Sequence, residues 1–513
     1  MDTFRIMKDA GRQINLIRSR PWTSSDSYLA ETSDTPPQDL PETPTDVDVI
    51  IIGGGFSGLM SAYRLQQAGL TTVVLEAKNA IGGRSRSQRL GNGTGIIEMG
   101  ATWINNITQP KVYALTELFG LETTPQYVEG DFIFQGVDGH VRRLDGPSPS
   151  LTAGNPIDAD HEAALLFLMD QASKRINIRD FDSFPAEQDV SLVEWVRMQG
   201  LWNNSHVQGS VNMLSSALVG RGPHEVGAHY LMDYIISGGG LLELNSEDER
   251  GAQYLKVKNG TTSIAVGLAS AMSPGSVLIN SPVSRITQCR DLAVVTTEAG
   301  QQFKGKKVIL AIPTNTYADI EFVPPLPKDK ATVVYNTKPG IYAKAIISYA
   351  EPWWRSAGIV GKMTSHIGPV CFTWDTSDPS ASQYSLAIFV SGDIATRWHA
   401  LPGPERTSSI LGHLAVLVGK DLADYALSPV EVNIAEWTKE EYIGGGPTSV
   451  LGPGMLRQHG EALRRPFGNL HFGGGEMAYE WKGYLEGAVR AGERAADEVM
   501  RSLGLGELEG RDI

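Results

Sequence analysis

The chain has few cysteines, no long apolar run, no internal repeat and no excess of positive charge, and each shortage removes a class of protein. Two thiols, Cys289 and Cys371, among 513 residues are too few and too far apart for a disulfide framework or a cysteine-rich metal site. A metal is therefore not expected, and a reducing, intracellular compartment fits best. No stretch reaches the roughly 18 apolar residues of a membrane span, and the N-terminus lacks the apolar core of a secretory signal, so no membrane partner is expected. Residues 1–20 carry five Lys or Arg beside two Asp. The basic residues are like those of a mitochondrial leader, but the aspartates and the scarcity of serine argue against one. A cytoplasmic location is expected, with mitochondrial import as the alternative. Lys and Arg number 44 against 58 Asp and Glu, a net charge of −14, which has the wrong sign for a phosphate-backbone binder, so nucleic acid is not an expected partner.

What is present is ordinary folded-protein composition, 41% hydrophobic and 20% charged, at a length of 513 residues that calls for two or three compact units. Residues 22–45 are rich in Ser, Thr, Pro and acids without apolar periodicity, which predicts a flexible arm over 1–45 and globular structure from Asp46. Residues 47–52 form an apolar, β-branched run broken only by Asp48, the pattern of a strand buried on both faces of a parallel sheet. A helix over 57–68 and a second strand over 71–75 complete a βαβ unit. Helices are also predicted over 163–169 and within 192–234, with a break at Gly222-Pro223, and strands over 277–280, 293–297 and 308–312.

The first strand-to-helix turn reads Gly53-Gly54-Gly55-Phe56-Ser57-Gly58. In a G-x-G-x-x-G turn the first glycine allows the tight bend, the second lets a pyrophosphate approach the backbone, and the third lets helix and strand pack closely, while the helix N-terminus favours the anion. Glu76, followed by Ala77, closes the second strand where an acid accepts hydrogen bonds from a ribose hydroxyl. Strand, motif, helix, strand and acid together predict a dinucleotide site.

The next segment, Ala80-Ile81-Gly82-Gly83-Arg84-Ser85, resembles the flavin amine oxidase family. The resemblance implies that Gly82 and Gly83 lie against the pyrophosphate of FAD and that Arg84 neutralises its charge. It resumes at Phe472-Gly473-Gly474-Gly475-Glu476 and at Trp481-Lys482-Gly483-Tyr484-Leu485-Glu486-Gly487-Ala488. These are similar to the family's strand, its acid near the ribityl chain (Glu476, after Gly475) and a helix whose positive end points at the flavin (Gly483, Tyr484, Leu485). Leu485, Ala488, Val489, Ala496 and Val499 also form a stripe at helical spacing, so much of this helix is core in any case. Gly483 and Gly487 are costly in a first turn and suggest close approach to a planar group. Glu98-Met99-Gly100-Ala101-Thr102-Trp103 looks like the segment under the isoalloxazine, and Val283 matches a backbone contact to adenine. Lys344, before Glu351-Pro352-Trp353-Trp354, matches the lysine that holds a water at flavin N5, and Tyr484 matches one wall of the amine-binding aromatic cage. The resemblance thus implies catalytic roles for Lys344 and Tyr484, with Trp103, Gln253 and Pro447 facing the substrate.

The similarity spans roughly 46–503 and is specifically to monoamine oxidases, soluble fungal-type members among them, some of which take long-chain amino alcohols such as fumonisin-like toxins. Two departures stand out in Gly444-Gly445-Gly446-Pro447-Thr448. Gly446 occupies the place of the cysteine that carries covalent FAD in the membrane-bound relatives, so non-covalent FAD is expected. Pro447 occupies the place of the second cage aromatic, so the slot should be wider and admit bulky amines. Trp103, near where amino-acid oxidases have a carboxylate-gripping arginine, cannot do that task.

The fold implied is α/β, of the glutathione-reductase/amine-oxidase type. A Rossmann-like FAD domain (46–124, 257–333 and 440–504) is interleaved with a mixed-sheet and helical substrate domain (125–256 and 334–439), followed by a tail over 505–513. The reaction implied is oxidation of a primary amine to aldehyde or ketone, ammonia and hydrogen peroxide, with O2 as acceptor and a homodimer by analogy. The alternatives are an L-amino-acid or polyamine oxidase, a desaturase, and a non-catalytic FAD-binding scaffold.

Overall fold

In the larger sheet the strand Thr45–Ile52 runs through the centre, with Val49 to Ile52 at most 3% exposed. The computed structural model describes residues 45–146 and 156–506. The expected N-terminal arm and any leader therefore lie outside the described residues, apart from Thr45 in the first strand, as does the expected tail from 507 on.

Thr45–Ile52 pairs in parallel with Thr72–Leu75 on one side and Gln302–Leu310 on the other. Val277–Leu278 extends the sheet beyond Thr72–Leu75, and Leu470–Phe472 adds in parallel to the second half of Gln302–Leu310. The first half of that long strand turns to antiparallel pairing with Ala293–Thr297, which continues to Val283–Gln288 and Glu321–Val323. The helix Phe56–Gln67 leaves the first strand and lies against the last helix, Leu485–Ser502. At their crossing a Cβ on Gly492 would come within 2.3 Å of the Ser57 carbonyl, and Ser61 Oγ donates to the Gly492 carbonyl at 2.9 Å. The two ends of the chain are thereby joined on one nucleotide-type sheet.

The second sheet is mixed, in the order Glu431–Ala435, Tyr342–Tyr349, Tyr384–Ser391, Phe372–Asp375, Ile359–Ser365, Asp131–Gln135 and Val141–Leu144. Its pairings are antiparallel except that of Ile359–Ser365 with Asp131–Gln135. Side chains alternate across it. Ala343, Ala345, Ile347, Leu386, Ile388 and Val390 pack with Leu411 and Leu414 of the helix Gly403–Val418, whereas Tyr342, Ile346, Phe372 and Phe389 cluster on the opposite face with Trp437. Lys344, at the same parity as Tyr342 and Ile346, falls on that second face.

Several boundaries differ from the sequence expectations. The first helix is Phe56–Gln67 and the second strand Thr72–Leu75. The helix expected over 163–169 runs from Pro156 to Ser173, and 192–234 resolves into Leu192–Met198, Ser205–Val219 and Ala228–Ser237. The strand expected over 277–280 ends at Leu278, since Asn280 turns to φ +53°. The strand expected over 308–312 is the end of Gln302–Leu310, whose first half alternates inward Phe303 and Gly305 with outward Gln302 and Lys306, hiding it behind charge. Among the described residues no helix is long and apolar enough to cross a membrane.

Candidate active site

A cavity of about 360 Å³ lies where the two sheets meet, lined by residues of both. At one end it is lined by the turns of the nucleotide-type sheet. Gly53 bends at φ +103°, and a Cβ there would strike the Ala311 carbonyl at 2.8 Å. Gly82 N–H donates to Gly54 O at 2.9 Å, which brings the Gly82-Gly83 turn against the first glycine turn, leaving 3.3 Å from a Cβ on Gly83 to the Gly55 Cα. Glu76 accepts from the N–H groups of Gly54 at 2.7 Å and Lys78 at 2.8 Å, and burial nevertheless pushes its carboxyl up. The helix Phe56–Gln67 starts at Gly55 without a side-chain cap, so its first N–H groups are open to an anion.

Of the residues that the sequence points to, Gly53, Gly55, Phe56, Ser57, Glu76, Ala77, Gly82, Gly83, Arg84, Gly100, Ala101, Thr102, Trp103, Gln253, Val283, Lys344, Pro447, Gly475, Gly483, Tyr484 and Leu485 all line this one cavity. Gly58 and Glu476 stand behind the wall. Gly58 is pressed on the turn itself, where a Cβ would lie 1.9 Å from the Gly53 carbonyl oxygen. Glu476 accepts from Arg84 Nη1 at 3.0 Å, from Ser449 Oγ at 3.1 Å and from Thr314 N at 2.9 Å. Arg84 also donates to the Pro447 carbonyl at 2.9 Å, so its charge is held in place between the cavity and Glu476. Ser57 Oγ donates to the Gly473 carbonyl rather than into the cavity. At Gly487 a Cβ would lie 2.1 Å from the Trp481 carbonyl oxygen, which by itself requires a glycine there. Gly483, at φ +83°, faces the ring of Tyr234, 3.0 Å from where a Cβ would lie.

Toward the second sheet the wall changes to side chains. Lys344, 1% exposed, donates from Nζ to the Gly100 carbonyl at 2.8 Å and to Thr102 Oγ1 at 2.6 Å, with the rings of Phe389 and Trp103 at 5.1 and 5.9 Å. Burial pushes its ammonium well below the ordinary lysine range, opposed by the buried Glu98 carboxylate, which burial pushes up. Trp103 and Trp374 meet edge to face at 5.1 Å, and Phe372 stacks on Phe389 at 4.8 Å. Both indole N–H groups point to polar partners, Trp103 to Gln126 Oε1 at 2.8 Å and Trp374 to Glu247 Oε1 at 2.7 Å. Gln253 donates to the Leu244 carbonyl at 3.1 Å, while its buried Oε1 has no hydrogen-bond partner. Tyr484, whose hydroxyl burial pushes up, lies 6.2 Å from Tyr234 and precedes the helix Leu485–Ser502, which also lacks a side-chain cap.

Sequence reasoning missed Tyr234, Tyr342, Phe372, Trp374, Phe389 and Trp437, all of which line the cavity. The strand residues among them share the parity of Lys344, and that alternation is the signal that could have found them. The donor set fits FAD: two uncapped helix N-termini and glycine turns bent at the positive φ of Gly53, Gly82 and Gly83 at one end, rings at the other. Neither Cys289 nor Cys371 lines the cavity. Among the described residues no cluster of three or more His, Cys, Asp or Glu could hold a metal ion.

Comparison with known proteins matches residues 56–500 to the family described as flavin containing amine oxidoreductase. The putative flavin-containing monoamine oxidase AofH of Mycobacterium tuberculosis is 33% identical over 464 residues, covering 90% of this chain and 98% of that one. A flavin-containing amine oxidase of Danio rerio is 32% identical over 468 residues, 89% of this chain and 86% of its own. Among solved structures, putrescine oxidase bound to putrescine (26% identical) and cyclohexylamine oxidase from Brevibacterium oxydans (28%) each superpose with a TM-score of 0.82, over 90% of this chain and 100% of theirs.

Proposed function

The chain belongs to the flavin containing amine oxidoreductase family, and from that premise we propose how its own residues carry out the reaction and which amine they accept. It is a FAD-dependent amine oxidase that takes a primary amine to an aldehyde or ketone with release of ammonia and hydrogen peroxide. FAD is bound without a covalent link, and when bound it supplies the two-electron oxidant that the side chains lack.

The observation that carries the assignment of roles is the meeting of Lys344 and Tyr484 in the cavity whose other end is the glycine cradle. Gly53, Gly55, Gly82 and Gly83 give backbone access to the pyrophosphate, with Arg84 as the neighbouring cation and Glu76 at the ribose. Val283 would serve the adenine, and Gly100 to Thr102 with Gly475, Gly483 and Leu485 would hold the flavin, all of them on the wall of the same cavity. The uncapped start of Leu485–Ser502 offers partial positive charge where a reduced ring gathers negative charge. Lys344 commits two hydrogen bonds to Gly100 and Thr102, which aim its remaining donor capacity at water or O2. The amine must react as the neutral base. Tyr484, Tyr234 and the rings of the second sheet exclude water around it and lower its pKa, while the unpartnered Gln253 Oε1 accepts an amine N–H.

The preferred amine is bulky or long-chain, amino alcohols of the fumonisin kind included, because Pro447 leaves open the side of the slot facing Tyr484. An α-amino acid is disfavoured, since among the described residues Arg84 is the one arginine on the cavity wall and is tied to Glu476 and Pro447. A diamine is disfavoured too, since the carboxylates on the wall, Glu76, Glu298 and Asp319, belong to the nucleotide end. Segments 46–124, 257–333 and 440–504 make the FAD unit and 125–256 with 334–439 the substrate unit, a division supported by the segregation of the two sheets' strands.

The test is anaerobic mixing of the yellow protein with primary amines, long-chain amino alcohols, polyamines and L-amino acids while following flavin absorbance. Bleaching by bulky primary amines, reversed by air with peroxide and ammonia appearing, is the expected result. Colour that persists across the panel would sink the reading.

A further inference from the structure

The wall that carries Tyr484 stands on a buried ion pair that the reaction does not use. Lys482 Nζ contacts Asp233 Oδ2, with the two side chains 3% and 1% exposed. Asp233 Oδ1 has no hydrogen-bond partner. Arg464, the other cation that acts on Asp233, donates instead to the carbonyls of Met477 and Ala478 at 2.7 and 2.9 Å. Taking two charges out of water is costly, and apolar side chains of like volume often serve stability as well or better.

The position of the pair points to another use. Asp233 immediately precedes Tyr234 on the helix Ala228–Ser237, and Lys482 stands two residues before Tyr484 in the turn leading to Leu485–Ser502. That turn is bent at two left-handed points on either side of Lys482, Trp481 at φ +53° and Gly483 at φ +83°, the first of them strained for a bulky residue. It is tied to the end of the same helix, with Trp481 N donating to Ser237 O at 2.7 Å and Lys482 N to Ser237 Oγ at 3.3 Å. The Trp481 ring meets Tyr484 edge-on at 5.2 Å, and Tyr234 lies 6.2 Å away on the other side. Every link between helix and turn thus falls within four residues of a cavity-lining tyrosine.

We propose that the Lys482–Asp233 pair is a positioning device that sets the gap between Tyr234 and Tyr484, and with it the wall against which the amine is held. This rests on the reading of Tyr484 as an amine wall. Neither residue touches the substrate, so the pair acts through the two tyrosines.

The test uses the FAD-loaded protein. Lys482→Met alone would leave a buried unpaired carboxylate and confound binding with loss of fold, so the informative variant is Lys482→Met with Asp233→Leu, compared with Lys482→Arg. Two readouts apply: KM and kcat for benzylamine, and the dissociation constant of α,α-dimethylbenzylamine, which has no α-hydrogen to lose, from its perturbation of the flavin spectrum. The double variant is expected to keep its FAD and thermal midpoint while both KM and the dissociation constant rise roughly tenfold or more, with kcat changed less, and Lys482→Arg to lie nearer the wild type. A folded, FAD-loaded double variant with unchanged amine binding would overturn the proposal. A wild-type protein that neither binds nor oxidises any amine would overturn the reading of the amine wall and the proposal with it.

Discussion

On the cofactor side of the cavity the protein presents mostly backbone, the turns of Gly53, Gly55, Gly82 and Gly83 and two uncapped helix starts, whereas toward the second sheet it presents rings and one buried lysine. The first wall recognises a group through N–H donors whose spacing is set by main-chain geometry. The second does so through side chains whose neighbours come from distant strands. The backbone wall leaves no room for a side chain at Gly53 and Gly82, where positive φ and contacts at 2.8 Å both oppose a Cβ. A ring wall can be retuned one residue at a time while the fold survives.

The largest effect should come from breaking the backbone wall. Gly58→Ala puts a Cβ where only 1.9 Å separates it from the Gly53 carbonyl. It should cost roughly 2–4 kcal/mol and abolish FAD retention, checked by thermal unfolding and by the colour of the purified protein. Lys344→Met comes next. It should leave FAD bound but slow flavin reoxidation by O2 roughly 10²-fold, as removal of a preorganised charge does, measured by stopped-flow mixing of reduced protein with O2. Pro447→Tyr should narrow the slot. We expect kcat/KM for a bulky amine to fall roughly tenfold while a small amine such as benzylamine keeps most of its rate, read from steady-state peroxide release.

The smallest effect sharpens the comparison by contrasting Lys344 with a second buried lysine, Lys330, which lies away from the cavity. Lys330 donates to the carbonyls of Ala462 and Leu463 and sits over the Phe472 ring at 3.5 Å, and burial pushes its ammonium down to about 7. Its folded form therefore holds fewer protons than its unfolded form between about 7 and its ordinary 10.5. Stability from this group rises as pH climbs through that window, by at most about 1.4 kcal/mol per pH unit. Lys330→Met should flatten that rise in denaturant titrations at pH 7.5 and 9.5 and leave amine oxidation unchanged.

Local pattern made the backbone wall legible. The apolar run ahead of Gly53, the glycine spacing and Glu76 lie within one βαβ unit, so their geometry follows from short-range rules. The same rules misplaced the start of Gln302–Leu310, because on the edge away from Thr45–Ile52 its partner changes from antiparallel to parallel and only its second half is continuously buried. Lys344 and Tyr484 were legible through resemblance as residues of one site, and the hydrogen bonds of Lys344 to Gly100 and Thr102 were not. Alternation puts Phe372, Trp374 and Phe389 on one face of their strands, but only the pairing of those strands shows that it is the face of Lys344.

The sequence by itself determined the nucleotide-type unit and the chemistry available to the chain, because glycines at a strand-to-helix turn and a charge-poor apolar strand have few alternatives. Only the tertiary structure decided what the amine meets. Strand register turned Lys344, Phe372, Trp374 and Phe389 to one face, and the crossing of Phe56–Gln67 with Leu485–Ser502 brought the last helix beside the first turn. Those contacts join residues from tens to hundreds of positions apart, and their geometry depends on how whole sheets pack rather than on any local run of residues.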